Sequence, residues 1–195
     1  MRYIMKETSA AKKSSASIVN MVMIAAMAAV ICVLAPLSLS IPFSPAPISL
    51  TNLVLYVIIY VEGWKRATGS YLVYLLVGLA GMPVFSGFGS GPAKMLGPTG
   101  GYLIGMIFLT VISGYVVEKT SKWYLQFVGM ILGTLVTYAF GTAWMGYSLQ
   151  MSFGAALAAG VIPFIPGDLA KMVIACIAGP MLRKRLAKSG LGVGL

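Results

Sequence analysis

The stretch that decides the fold runs from residue 100 to residue 147 and reads GGYLIGMIFLTVISGYVVEKTSKWYLQFVGMILGTLVTYAFGTAWMGY. Two apolar runs, about Gly100–Val117 and about Trp123–Tyr147, flank a short charged cluster that contains Glu118 and Lys119. A run of about 18 or more apolar residues is long enough to cross the hydrocarbon layer of a membrane as a helix. This stretch therefore predicts two membrane-spanning helices joined by a polar loop.

The composition of the whole chain indicates a membrane protein. Of the 195 residues, 59% are hydrophobic and only 9% are charged, whereas soluble domains carry about 25% charged residues. The net charge of +10 does not indicate a nucleic-acid partner, because the basic residues form short clusters between apolar runs. The chain contains no histidine, the commonest general base and metal ligand, which argues against an enzyme and against a metal site.

The remaining apolar runs predict an all-α fold in which residues 1–195 form a single domain, a compact bundle of six spanning helices. The predicted helices are about 18–35, 48–61, 67–82, 100–117, 123–147 and 166–182. Residues 1–17 are a polar lead-in, and residues 183–195 are a basic tail. Residues 148–165 are apolar but interrupted by Gly160 and Pro163, which predicts a half-helix. The first run lacks a clear cleavage motif of a signal peptide, so we expect it to be retained as helix 1.

Positive charges are distributed unevenly between the connecting segments. Twelve of the 14 Lys and Arg residues lie in the lead-in, in the loops after helices 2 and 4, and in the tail. The loop after helix 2 is formed by Glu62, Lys65 and Arg66. Cytoplasmic loops of membrane proteins carry such an excess of Lys and Arg, so the pattern predicts that both termini are cytoplasmic.

Three charged residues lie outside these basic clusters: Lys94, Asp168 and Lys171. A charged side chain at the centre of a bilayer costs about 2.5–3.5 kcal/mol on insertion scales, so such residues usually face a cavity and have a function there. Asp168 and Lys171 are three residues apart on predicted helix 6, which puts them on one face. We interpret them as a pair lining a polar pocket. The alternative is a capping aspartate tied to a nearby lysine.

A segment rich in glycine and proline, residues 83–102, separates predicted helices 3 and 4. Glycine lets the backbone approach a ligand closely, and irregular backbone near a membrane is tolerated where it lines a cavity. Side chains in this segment that can form hydrogen bonds are Ser86, Ser90, Thr99 and Tyr102. Lys94 adds a cation suited to an anionic ligand. A flexible outer loop with a solvated lysine is an equally good interpretation.

Aromatic residues close to these two segments are candidates for the walls around a flat ring. They are Phe43, Phe85, Phe88, Tyr102 and Phe164. For any one of them, a place in the aromatic belt at the membrane surface is the simpler explanation.

Small residues recur at four-residue spacing on three of the predicted helices. Such spacing lets helix backbones approach closely. On helices 4 and 5 we expect it to mark packing within the bundle; the residues are Gly101, Gly105, Gly129, Gly133, Thr137 and Gly141. On helix 1, Ala25 and Ala29 mark either internal packing or the docking of a partner subunit, and the spacing does not decide between them.

Three strings of residues are more specific than any of these patterns: GMPVFSG at 81–87, GPTGGYL at 97–103 and PFIPGDLAK at 163–171. They resemble the signatures of the BioY family, the biotin-specific membrane subunits of energy-coupling-factor (ECF) vitamin importers. The resemblance implies a six-helix bundle in a bacterial or archaeal cell membrane, with a biotin pocket near the outer face under the loops after helices 1 and 3. It also implies a transmembrane coupling subunit that docks at Ala25 and Ala29, and two ATPase subunits beneath.

The resemblance also implies roles for individual residues. Asp168 would accept a hydrogen bond from the ureido group of biotin, and Lys171 would donate to its carbonyl or keep Asp168 ionised. The candidates for the carboxylate end are Lys94 and the glycine-rich loop, with Gly89, Ser90, Gly100 and Tyr102. No cofactor is expected, and because the chain lacks a phosphate-binding loop, ATP hydrolysis would fall to the partner subunits.

Three other hypotheses stay open at this point. The same architecture can serve another vitamin or a biotin precursor, or can transport biotin without energising subunits. An intramembrane enzyme would use Asp168 and Lys171 as acid and base, but there is no histidine, metal cluster or second acidic partner to support it. A scaffold subunit without a ligand would leave the polar residues of helix 6 unexplained.

Overall fold

The computed structural model of the chain describes residues 2–39, 42 and 44–188, with side chains from residue 17 onward. The described part is helical apart from one short β-hairpin and the connecting loops. In chain order the elements are α1 (Arg2–Leu34), β1 (Ser38–Leu39), β2 (Ile48–Ser49), α2 (Thr51–Leu79), α3 (Gly91–Leu96), α4 (Gly100–Lys119), α5 (Trp123–Ser148), α6 (Phe153–Gly160) and α7 (Ile165–Lys188). Short 3-10 turns occupy Ser86–Phe88 and Ile162–Phe164.

The helical segment α2 is bent back on itself at Gly63. Gly63 has φ 75° and ψ 170°, a backbone conformation that suits glycine because it has no Cβ. The Ser70 hydroxyl donates to Glu62 Oε2 over 2.9 Å, although residues eight apart on a straight helix are separated by about 12 Å. This bond therefore closes a helical hairpin in which Glu62 is buried.

The two arms of α2, residues 51–62 and 64–79, run antiparallel. Their far ends meet, because Asn52 and Tyr74 line the same cavity, whereas about 33 Å would separate them on a straight helix. Predicted helices 2 and 3 are therefore the arms of one segment. The prediction of a polar loop at residues 62–66 is wrong, because one glycine is enough to reverse the chain.

The described residues contain four stretches that are long and apolar enough to cross a membrane: Ser17–Leu34, Gly100–Lys119, Trp123–Ser148 and Phe153–Lys188. The two arms of α2 complete a set of six helices, which fits the predicted six-helix bundle. Within the last stretch, α6 is the predicted half-helix and α7 is the predicted helix 6, extended to Lys188.

Helices α4 and α5 pack along each other through small residues. A Cβ on Gly105 would lie 2.8 Å from the Cα of Thr137, and a Cβ on Gly133 would lie 3.2 Å from the Cα of Leu109. Both distances are shorter than packed carbon atoms normally allow, so only glycine lets the two backbones come this close. The expectation that these small residues serve packing within the bundle is confirmed.

The ends of the chain differ from the predicted boundaries. The backbone of α1 is helical from Arg2, so most of the lead-in predicted for residues 1–17 continues the first helix. The basic tail predicted for residues 183–195 is helical as far as Lys188, and residues 189–195 lie outside the described residues.

The loops after α1 and α2 are in contact with each other. Strands β1 and β2 pair antiparallel, with Ser38 opposite Ser49 and Leu39 opposite Ile48. The Gly87 amide in the second loop donates to the Pro36 carbonyl in the first over 3.2 Å. The two loops therefore form one cover at the same end of the bundle.

Candidate functional site

A cavity lies where the β-hairpin, both arms of α2, α4, α5 and the junction of α6 with α7 meet. It contains about 740 Å³ of space free of protein atoms, part of which is open to the outside. Both covering loops contribute to its wall, the first through Ala46 and Pro47 and the second through Ser86.

The polar end of the cavity is built around the predicted charge pair. Lys171 Nζ lies 3.0 Å from Asp168 Oδ1, and the two residues are only 8% and 6% exposed. Asn52 joins both of them, because its Nδ2 donates to Asp168 Oδ1 over 2.7 Å and its Oδ1 accepts from Lys171 Nζ over 3.1 Å. The Tyr138 hydroxyl donates to Asp168 Oδ2 over 2.6 Å, and the Ser49 carbonyl accepts from Lys171 Nζ over 2.7 Å.

This network determines what each charged group can still bind. An ammonium group has three donors, and those of Lys171 are directed to Ser49, Asn52 and Asp168. Lys171 therefore has no donor left for a ligand in this structure. An ionised carboxylate accepts about four hydrogen bonds. From the described residues Asp168 receives three, of which Oδ2 accepts one, from Tyr138, so Oδ2 keeps an acceptor position.

The local sequence explains how the pair is placed. The turn Ile162–Phe164 leads directly into α7, and Pro166 lies in the first turn of that helix, where its missing N–H breaks no helical hydrogen bond. Asp168 is in the same turn, where the positive end of the helix dipole stabilises its charge. Lys171 follows one turn later on the same face, so the predicted i,i+3 pair is present.

Four further residues singled out in the sequence as candidates for the site line the cavity: Ser86, Thr99, Tyr102 from α4, and Phe164 from the turn before α7. The Tyr102 hydroxyl donates to the Gly160 carbonyl over 2.9 Å. This bond ties α4 to the end of α6. Phe164 is buried and adds an aromatic surface to the wall.

Four predicted site residues of the glycine-rich segment lie away from the described walls of the cavity. Lys94 is half-buried on α3, and its aliphatic stem packs over Gly89 so closely that a Cβ there would lie 2.9 Å from Lys94 Cδ. Ser90 precedes α3, and Gly100 is buried beneath the carbonyl of Met95. Among the described residues, none of these four reaches the cavity.

Some of the predicted aromatic residues line the cavity and others do not. Phe85 is fully buried in the apolar core, edge-on to Tyr74 with ring centroids 5.5 Å apart, and it does not line the cavity. Its ring fills the space that a side chain on Gly78 would need. Phe43 lies outside the described residues. Phe164 and Tyr102 are thus the predicted aromatic residues that reach the cavity.

Ala25 and Ala29 are exposed on α1. Exposed apolar side chains lie beside them, including Val22 and Val30, whereas Ala28 faces the bundle and is buried. The alanine face is therefore not used for packing within the described part of the chain, and it is available to lipid or to a partner.

Three important groups of the site do not stand out in the sequence. Asn52 is an uncharged amide within an apolar run. Charged residues inside membranes are usually functional, and extending that rule to uncharged polar residues would have identified Asn52. Tyr138 resembles any aromatic residue of an apolar helix. Ser49 contributes its backbone carbonyl, for which the sequence has no signal.

The network predicts how the charge pair affects stability. Lys171→Met leaves Asp168 buried without its cation, and breaking a buried ion pair from one side costs about 3–5 kcal/mol. We expect this variant to unfold in detergent at a clearly lower temperature than the wild type. The double variant Asp168→Asn/Lys171→Met removes both charges and should recover part of the loss. Equal unfolding temperatures for the single and double variants would contradict this account of the pair.

Comparison with known proteins gives one consistent result. The model of the BioY family matches residues 6–188. The chain is 34% identical to the biotin transporter BioY of Thermotoga maritima over 148 residues, which are 75% of this chain and 86% of that protein. It is 33% identical to the biotin transporter BioY2 of Lactococcus lactis subsp. cremoris over 169 residues, which are 86% of this chain and 92% of that protein.

The fold agrees with the same group of proteins. A crystal structure at 2.1 Å of the S-component for biotin from an ECF-type ABC transporter matches with a TM-score of 0.79 and 28% sequence identity. The match covers 87% of this chain and 93% of that one. The match to the family model spans all three sequence strings and the Asp168–Lys171 pair. This chain belongs to the BioY family.

Proposed function

We propose that this chain binds biotin and serves in its uptake as the biotin-specific subunit of an ECF-type importer. The observation that carries the proposal is the buried polar network around Asp168 at the end of an otherwise largely apolar cavity. The relatives named above are biotin transporters, and the matching solved structure is an S-component for biotin. These names favour a transport subunit over an enzyme, and the cavity argues against a scaffold without a ligand.

The chemistry of the cavity suits the two ends of biotin. Its ureido ring carries two N–H donors and one carbonyl acceptor, and we assign one N–H to the acceptor position left on Asp168 Oδ2. Lys171 supports this bond indirectly by pairing with the other carboxylate oxygen, Asp168 Oδ1, over 3.0 Å, and hydrogen bonds to a charged acceptor are the stronger ones. Leu103, Met106 and Phe164 offer an apolar surface to the fused rings and the chain.

The titration of purified protein with biotin tests this assignment. Asp168→Asn removes the negative charge from the acceptor, and hydrogen bonds to charged groups are worth about 1.5–3 kcal/mol, so we expect affinity to fall about 10- to 150-fold. Gly154→Ala is the matched control, because a Cβ at Gly154 on α6 meets nothing within 4 Å and biotin affinity should not change.

Each result of this titration has a separate meaning. No binding of biotin by the wild type would contradict the proposed function. Binding by Asp168→Asn with wild-type affinity would contradict the role of Asp168 and leave the ligand assigned. If another unlabelled vitamin displaces biotin at equal concentration, the cavity is not specific for biotin.

We also propose the orientation and the partners of the chain. Both termini would lie in the cytoplasm, which is supported by the 12 of 14 Lys and Arg residues found in alternate connecting segments. The exposed Ala25 and Ala29 face would receive a transmembrane coupling subunit, since small side chains allow close helix contact. Two ATPase subunits would then drive release of the ligand into the cytoplasm of a bacterial or archaeal cell.

Cysteine labelling tests the proposed orientation. In a chain whose Cys32 and Cys176 are replaced by alanine, we expect Lys94→Cys to react with a membrane-impermeant maleimide in intact cells. Lys188→Cys should react only after the membrane is opened, because it belongs to the basic, cytoplasmic side. Labelling of Lys188→Cys in intact cells would show that the orientation is reversed.

A further inference from the structure

Two tyrosines one helical turn apart on α2 differ in the state of their hydroxyl groups. Tyr71 and Tyr74 are both fully buried, with ring centroids 5.5 Å apart. The Tyr71 hydroxyl donates to the Leu103 carbonyl over 2.7 Å. The Tyr74 hydroxyl is buried and has no hydrogen-bond partner among the described residues, although Tyr74 lines the cavity.

An unpaired buried hydroxyl needs a physical explanation. The large majority of buried polar side-chain atoms have a partner, because leaving one unsatisfied costs about as much as a hydrogen bond contributes, or more. The ring of Tyr74 is held by Tyr71 on one side and by the edge-on ring of Phe85 on the other. The ring of Tyr74 is therefore held in place, and Tyr74 is one of the residues that form the cavity wall.

The residues of the cavity wall include both a hydrogen-bond acceptor and a hydrogen-bond donor. Asp168, which keeps an acceptor position, belongs to the wall formed by α7, and Tyr74, which carries the unpaired hydroxyl, belongs to the wall formed by the second arm of α2. An ionised carboxylate can only accept, whereas a tyrosine hydroxyl can donate. The cavity thus suits a small molecule that carries an N–H group and an acceptor oxygen.

We propose that Tyr74 is a further ligand-binding residue, whose hydroxyl donates a hydrogen bond to an acceptor oxygen of the molecule bound in the cavity. The inference rests on the proposed function, since biotin supplies such oxygens on its ureido ring and its carboxylate. It makes Tyr74 a determinant of specificity, because ligands without an oxygen at that position would leave the hydroxyl unpaired.

The substitution Tyr74→Phe removes the oxygen and keeps the ring. Because the oxygen has no hydrogen-bond partner in the part of the chain that the structure describes, the variant should unfold at the same temperature as the wild type or higher when no ligand is present. Its affinity for biotin should fall about 10-fold, the loss expected for one hydrogen bond to an oxygen acceptor.

The matched control is Tyr71→Phe. This change deletes the bond to the backbone carbonyl of Leu103, and Tyr71 is not among the described residues that line the cavity. It should lower the unfolding temperature without biotin and leave the affinity of the folded protein unchanged. Tyr74→Phe should therefore lower the affinity but not the stability, whereas Tyr71→Phe should lower the stability but not the affinity.

The outcomes separate this inference from the proposed function. If the wild-type protein does not bind biotin, the proposed function is contradicted, whatever the variants do. Wild-type binding together with undiminished binding by Tyr74→Phe would overturn only the role of Tyr74. A lower unfolding temperature for Tyr74→Phe without ligand would also overturn it, because the hydroxyl would then have a structural partner.

Discussion

A buried charge pair constrains the arrangement of the helices around it. Asp168 and Lys171 lie 3.0 Å apart and almost out of contact with solvent, where an uncompensated charge costs several kcal/mol. Their remaining hydrogen-bonding groups are satisfied by Asn52, Tyr138 and the Ser49 carbonyl. These partners belong to α2, α5 and β2, so the positions of three elements relative to α7 depend on one carboxylate and one ammonium group.

The rest of the fold provides the walls of a cavity next to this pair. The reversal at Gly63 brings both arms of α2 to the cavity, and the small residues between α4 and α5 let the two helices pack closely. The loop after α1 and the loop after α2 meet over the same end of the bundle. A cavity that is partly covered by loops, in a membrane protein, suits a protein that takes up a small molecule and later releases it.

The sequence predicts the features that depend on local spacing. The common face of Asp168 and Lys171 follows from helical geometry, and the small residues of α4 and α5 follow from their four-residue period. The reversal between predicted helices 2 and 3 is present, but its form was not predicted, because a glycine beside charged residues looks like a loop of several residues whereas the helix breaks at Gly63 alone. The bonds from Asn52 and Tyr138 to Asp168 join residues 116 and 30 positions apart, and no local pattern encodes them. Phe85 and Phe164 look alike in sequence, and tertiary packing sends one to the core and the other to the cavity.

The measurement that tests the central claim most directly is the identity and amount of the small molecule released when the purified wild-type chain is denatured. The protein would be prepared from cells grown in excess biotin, and the released fraction would be analysed by mass spectrometry. We predict about one biotin per chain, as expected for one enclosed site. Release of another vitamin in that ratio would contradict the assigned ligand. An empty protein that also fails to bind biotin on titration would contradict the account of the site.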